Sequence, residues 1–383
     1  VADDDAIIYT IASNQVNAIR FMAASRTLII GTAGGEFTVT GGGDNNAITP
    51  TNIMIKKQSN HGAANIDAVA VANATLFVQR AKRKIRELAY NFDVDGYTAP
   101  DLTILAEHVT EGGIIEMAYQ EEPLAIIWCV RNDGELVALT YQREQQVVAW
   151  HRHVFAGAFG SGNAVCESVA VIPTEDSEYE LYMIIKRTIN GATKRYVEFL
   201  NTFDFDESDN TSFNFLDSQL SYSGSSATTI SGLSHLEGQE VSILADGATH
   251  PNKTVSSGSI TLDRAATKVK VGLGYTSLLK TMRIDAGAQN GTSQAKTKRI
   301  YEVTARLYES VGIEIGPDLN NMERVPFRTS SDPMDQGIPP FTGDKEVEFR
   351  GDYDTDGFMI VRQTQPLPLT ILSLYPRLVT NDG

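Results

Sequence analysis

The hydrophobic pattern of the first half of the chain recurs. Four short apolar runs stand out: "LIIGT" (28–32), "LFVQR" (76–80), "IIWCVR" (126–131) and "LYMIIKR" (181–187). Their last residues, Thr32, Arg80, Arg131 and Arg187, are separated by 48, 51 and 56 positions. A turn follows each run ("AGGE", "AKRK", "NDGE", "TINGATK"), and then a second strand-like segment ("FTVT", "IRELAY", "LVALTY", "RYVEFL"). Another such segment precedes each run ("AIRFMA", "DAVAVA", "IIEMAY", "ESVAVI"). The runs are apolar on both faces, as in strands sandwiched between sheets, whereas a half-exposed strand alternates. At five to seven residues, with turn residues close behind, they are too short for buried helices. Asp133-Gly134 and Asn190-Gly191 are hairpin signals, because these residues tolerate the positive φ of tight turns. Antiparallel units repeating at about fifty residues predict the blades of a β-propeller, complete or partial, over residues 1–203. One helix is predicted, in "TAPDLTILAEHV", where Pro100 and Asp101 occupy the first turn and apolar residues follow at helical spacing.

At "FDFDESDN" (203–210) the composition shifts toward Ser, Thr, Gly and Asp, which predicts a boundary. Beyond it, "ATTISGL", "EVSILADG", "SITLD" and "TKVKVGLGY" read as short alternating strands between turns. They predict a small β-sandwich or barrel, inserted or appended, over 204–298. The remainder, 299–383, opens with a long strand, "RIYEVTARLYES" (299–310). A Pro-rich and polar surface crossing (320–344) and at least three return strands follow, and these are expected to complete a blade begun earlier. The expected fold class is all-β, propeller-like repeats with an added sandwich or barrel.

Charge narrows the partners. The 383 residues carry 48 acidic against 32 basic side chains, a net −16. That balance opposes general nucleic-acid binding, which needs a basic footprint. It is compatible with a wall that DNA passes without sticking, since like charge repels phosphates. No apolar run approaches the roughly 20 residues of a membrane-spanning helix. Cys129 and Cys166 lie in strand-like apolar contexts and read as reduced core thiols, not a disulfide framework.

Candidate chemistry is sparse. In "AWHRH", His151 and His153 project to one face of a strand, close enough to share a metal. A third ligand is named by residue type only: Glu144, His108 or Asp133. The competing reading is a polar outer strand, with Trp150 turned toward the core and the histidines solvated. Asp352, Asp354, Asp356 and Gly357 match the opening of a calcium loop, but the twelfth position is Gln363 instead of a bidentate Glu. The competing reading there is an acidic hairpin tip; "FDVDGY" (92–97) is a turn. No Gly-x-Ser-x-Gly elbow and no phosphate loop is present, and 48 acidic residues leave no carboxylate pair distinctive. The expectation is a protein with no catalytic residues and no cofactor.

The strings "IIWCVRNDGELVALTYQREQQVVAWHRHVF", "ESVAVIP" and "KRTINGATKRYVEFL" resemble the tail nozzle proteins (tail tubular protein B) of short-tailed bacteriophages. So do "FLDSQLSYSG", "TTISGLSHLEGQEVSILADG", "TVSSGSITLD", "VGLGYTSLLKT", "VPFRT", "FTGD" and "QPLPLTILSLYP", in the same order. The resemblance implies a virion protein, present in the host cytoplasm before assembly. It implies a homohexameric ring at the distal end of the tail, below the tail adaptor protein and beside tail fibres. Double-stranded DNA passes through its channel transiently, without specific binding, and Lys82, Arg83 and Lys84 are candidates for guiding it. The family contributes no catalytic residues. The chain lacks an amino-terminal portion usual in the family, so a fragment or processed product is expected. Two other functions compete. One is a carbohydrate-binding or carbohydrate-cleaving propeller of a phage tail, which needs exposed aromatic platforms; the chain has only Trp128 and Trp150. The other is a cellular propeller scaffold.

Overall fold

The computed structural model describes residues 2, 5–11, 17–25, 27–42, 47–175, 178–203, 205, 206, 208–285, 292–334 and 336–381. Among them the structure is all-β and antiparallel, and its only helical elements are the 3-10 turns Asn210–Ser212 and Ser234–Leu236. The chain forms two compact units. One comprises Val1–Val154, Ala164–Arg187 and Arg195–Leu200; the other comprises Phe155–Asn163, Thr188–Lys194 and Asn201–Gly383.

The first unit contains three successive sheets and most of a fourth, in which chain neighbours are also sheet neighbours. The first sheet takes Ile19–Ala24, Leu28–Thr32, Gly35–Thr40 and Met54–Ser59. The second takes Val69–Val71, Ala74–Val78, Ile85–Asn91 and Gly96–Thr98. The third takes Ile114–Gln120, Ile126–Arg131, Leu136–Gln142 and Val147–His153, and the fourth Val165–Pro173, Tyr179–Ile189 and Ala192–Phe199. The apolar runs are the second strand of each sheet, and the turns between them carry the expected glycines. Asn190 and Gly191 both have positive φ (47° and 72°), and Gly134 sits at +85°. The fourth strand of the first three sheets escaped the repeat pattern because it is an edge: Met54–Ser59 has no buried residue, so its sequence has no reason to be apolar.

Burial explains the doubly apolar runs. All six residues of Ile126–Arg131 are buried. Ile127 and Cys129 share a core with Val137, Leu139 and Tyr141 of the same sheet and with Leu76, Val78 and Ile85 of the second sheet. Ile126, Trp128 and Val130 face the other way and are also buried. Each such side chain contributes roughly 1.5–3 kcal/mol relative to exposure. The two thiols are part of this interior: Cys129 and Cys166 are free and buried, and burial pushes the Cys166 pKa up to about 12.

The predicted helix in "TAPDLTILAEHV" does not form. Consecutive turns replace it, with Ala106 N–H donating to Thr103 O (2.8 Å) and Val109 N–H to Ala106 O (2.9 Å). Long-range bonds override the helical spacing. Glu87 N–H donates to Pro100 O and Leu102 N–H to Ile85 O, tying the segment to the edge of the second sheet, while Ala106 and Val109 enter its core. Asp101 accepts the Thr103 N–H at 2.9 Å, an Asx turn in place of a first helical turn.

In the second unit, 217–273 of the expected 204–298 forms a four-stranded sheet, and no closed barrel is found among the described residues. Its strands are Asp217–Ser231, Ser259–Leu273, Glu240–Ala245 and Ala248–Thr254, in that spatial order. Its core includes Ile230, Val241, Ile243, Val269 and Val271. The return strands correct a second expectation. Phe341–Glu348 and Thr370–Asn381 flank the long strand Thr297–Ser310, and Ile360–Gln363 pairs with Ser277–Lys280 and Glu314–Gly316. They complete sheets of their own unit, around a core that includes Val303, Leu307, Ile313, Val347 and Val361, instead of completing an earlier blade.

Candidate functional site

The third sheet brings its histidines onto one face with its tryptophan. Trp128 and His151 both oppose Ala138, from the two neighbouring strands, and His153 lies two residues on from His151. The Trp128 ring centroid is 5.0 Å from that of His153 and 6.3 Å from that of His151. His151 Nδ1 and His153 Nε2 are 2.9 Å apart, and Thr140 Oγ1 lies 3.1 Å from His151 Nε2. The chain of polar groups continues on the same face. Trp128 Nε1–H donates to Gln120 Oε1 (2.9 Å), and the Gln120 amide donates to Tyr179 O of the fourth sheet (2.7 Å).

This geometry changes the expected outer strand. The histidines are half-buried and packed, not solvated. Burial lowers the pKa of both; His153 is pushed down to about 4 by burial and by the neighbouring His151. A hydrogen bond between two ring nitrogens needs one lone pair, so the pair is held together only while at least one ring is neutral. Trp150 does turn inward: it packs on the core shared with the second sheet, and its Nε1–H donates to Leu102 O at 2.9 Å.

Of the three candidates for a third ligand, Glu144, His108 and Asp133, Asp133 is bonded to the Arg131 guanidinium (3.1 Å to Nε). Among the described residues no three His, Cys, Asp or Glu side chains gather as a metal set. The arrangement supplies a pair of neutral imidazoles bridging a tryptophan and a threonine, a packing device more than a coordination site.

The acidic run Asp352, Asp354, Asp356 resolves the same way. Asp354 caps its own turn: the backbone N–H groups of Asp356, Gly357 and Thr355, with the Lys298 charge, hold its carboxyl below the usual range against an opposing desolvation. Asp356 pairs with Arg283 at 3.0 Å. Asp352 is exposed. Lys298, only 2% exposed, donates its Nζ–H to Ile284 O at 3.0 Å, and its backbone pairs with Asp354 in both directions at 2.8 Å. Arg283, Lys298 and Asp356 line a cleft of 570 Å³ together with Asp285 and Gln294, whereas Asp352 and Asp354 are not part of its lining. A calcium loop converges carboxylates on one point; here two cations stand among them. Gln363 has no place in a loop, since it ends the strand Ile360–Gln363 and donates to Val311 O at 2.6 Å. Arg283 and Lys298 lie 73 and 58 residues from Asp356, so no local pattern announced them.

The basic stretch 82–84 is also answered by acids. Lys84 Nζ is 2.8 Å from Asp101 and 3.2 Å from Glu107, contacts that raise its pKa, and Arg83 is 4.0 Å from Glu111. Lys82 holds the left-handed turn position, φ 65°. Compared with known proteins, the chain matches no family model, and no curated protein is significantly similar to it.

Proposed function

We propose that the chain is a structural component of a short-tailed phage tail. In this reading it is a nozzle subunit whose four sheets are propeller blades and whose copies assemble into a ring, probed by DNA only in transit. One observation carries the reading: four consecutive antiparallel meanders of three or four strands, with second strands buried on both faces in the first three. Such stacking of sheets is the packing principle of a propeller, and it agrees with the sequence resemblance to tail nozzle proteins. Charge supports the same reading, since a net −16 disfavours retention of a polyanion in a channel. The two tryptophans serve packing: Trp128 is 2% exposed, and Trp150 has its indole N–H engaged. Neither is placed as a platform for a sugar ring.

In this role the protein acts by shape. Its expected partners are further copies of itself, a tail adaptor and tail fibres; its expected location is the virion, and the host cytoplasm before assembly. Negative-stain electron microscopy of the purified chain, alone and with the adaptor, tests this. Rings of uniform diameter are expected, six-fold with the adaptor. Particles that stay monomeric in both samples overturn the reading.

A further inference from the structure

A buried charge calls for a counter-charge, and one cation of the second unit has none in contact. Lys298 is 2% exposed. Among the described residues its ammonium donates to one acceptor, Ile284 O at 3.0 Å, and no carboxylate lies within 4.0 Å of it. A single carbonyl answers one of its three N–H donors. The stem is fixed in place: Gly357 takes φ +67°, and a Cβ there would lie 2.8 Å from Lys298 Cδ. Two backbone bonds with Asp354, both 2.8 Å, anchor the residue near the start of the strand Thr297–Ser310. An ammonium taken out of water without a paired anion is costly, whereas an ion pair with its hydrogen bonds complete is tolerated.

The residue borders open space. Lys298 lines the 570 Å³ cleft with Arg283, Asp285, Gln294, Thr355 and Asp356, and that volume lies in the range of small-molecule sites. The acids around it are already spent. Asp285 Oδ1 accepts from the Thr292 hydroxyl (2.6 Å) and Oδ2 from the Gln294 amide (3.0 Å), bonds that hold its carboxyl below the usual range. Asp356 is paired with Arg283 Nε at 3.0 Å. Asp354, the acid that feels the Lys298 charge, turns its carboxylate onto the N–H groups of its own turn. The Arg283 side chain is 71% exposed, so part of its five-donor fork is open to a ligand.

The geometry points to a binding site for a small oxyanion, the carboxylate or phosphate group of a ligand, in which Lys298 supplies a point charge and Arg283 a planar fork. Guanidinium matches the paired oxygens of either group, and ammonium adds a compact charge. The Thr355 hydroxyl stands at the wall as a further donor. The occupant is a free ion or a terminal group, because so deep an ammonium is out of reach of a phosphodiester within a duplex. The site lies inside one unit and does not depend on the assembly of copies.

Equilibrium dialysis of the whole chain tests this, with labelled inorganic phosphate in one arm and labelled acetate in the other, both at physiological ionic strength. Saturable uptake at a single site is expected in at least one arm, and that arm tells a phosphate-bearing from a carboxylate-bearing occupant. Lys298→Met keeps an unbranched stem without the charge and is expected to abolish saturable uptake. Should that variant not fold, two variants of more exposed residues decide. Arg283→Gln is expected to weaken uptake at least about tenfold, the loss of one charge-assisted hydrogen bond. Asp356→Asn frees Arg283 and removes an acid, so it is expected to tighten uptake, an outcome that a purely structural role for the pair does not give. No saturable uptake in either arm overturns the site. So does uptake that a folded Lys298→Met variant retains, or that Arg283→Gln and Asp356→Asn both leave unchanged.

Discussion

Gly134 shows how a single residue links a local turn to sheet packing. It takes φ +85° in the "NDG" loop, and its backbone carbonyl accepts the Cys166 N–H of the fourth sheet at 2.9 Å. A Cβ there would lie 2.2 Å from Val165 Cγ1, and Val165 is half-buried in the neighbouring strand. Gly191 has a similar φ of +72°, but a Cβ at that position meets nothing within 4 Å. The two glycines separate backbone strain from steric collision. Gly191→Ala is expected to cost about 1 kcal/mol, the left-handed penalty of an L-residue. Gly134→Ala adds the displacement of Val165 and is expected to cost roughly 2–4 kcal/mol. Equilibrium urea unfolding of the two variants reads the difference; equal losses would show that Val165 moves aside freely. The dipeptides "DG" and "NG" revealed both turns, but the collision is with a residue 31 positions away, which no local pattern carries.

At the scale of the element, the outer strand Val147–His153 couples the third sheet to pH. His153 is held near pKa 4, well below the ordinary histidine value, and His151 is shifted the same way by burial. A group with a depressed folded-state pKa stays neutral in the native state while the unfolded chain takes up a proton below about pH 6.5. The unfolded state therefore binds more protons between about pH 6.5 and 4, and native stability falls as pH drops through that window. The His153 shift corresponds to about 3 kcal/mol over the whole window. A His151→Gln/His153→Gln variant is expected to lose this part of the pH slope while retaining a similar melting temperature near pH 5; an unchanged slope would place the protonation elsewhere. The same strand shows what was legible in sequence. "AWHRH" announced an outer strand with Trp150 inward, because alternation is local. That His151 meets Thr140, and that Trp128 meets Gln120 across a hairpin, depends on register between strands, which alternation leaves open. The second strands of the first three sheets were readable for the converse reason: strands buried on both faces are apolar throughout. The helix expected at 98–109 failed because turns and edge bonds to the second sheet satisfied its backbone first. For 204–298 the expectation was a sandwich or a barrel, and no closed barrel is found among the described residues, because short alternating strands do not specify whether a sheet closes.

At the scale of the whole molecule, the distribution of cations bears on the proposed passage of DNA. Retention of a duplex depends on free Lys and Arg releasing counterions from phosphates, and each neutralised phosphate contributes to the salt slope. In this chain many guanidinium and ammonium groups are already committed to carboxylates: Arg143 to Glu87 at 2.6 Å, Arg195 and Lys186 to Glu167, Arg306 to Asp344 at 2.8 Å, Arg362 to Glu314 at 2.7 Å. Lys84 is shared by two acids. Binding a phosphate at these places first requires separating an existing pair, and the excess of sixteen negative charges opposes approach over a Debye length of about 8 Å. A labelled 30-base-pair duplex is therefore expected to show no saturable binding at physiological salt, with any dissociation constant weaker than about 10⁻⁴ M, the weak end of non-specific association. Lowering the salt should not rescue binding appreciably, because the repulsion is then screened less while the cations remain paired. Micromolar binding with a steep salt slope would mean that a basic surface is assembled between copies. In that case the proposed passage of DNA would be governed by adhesion and not by repulsion.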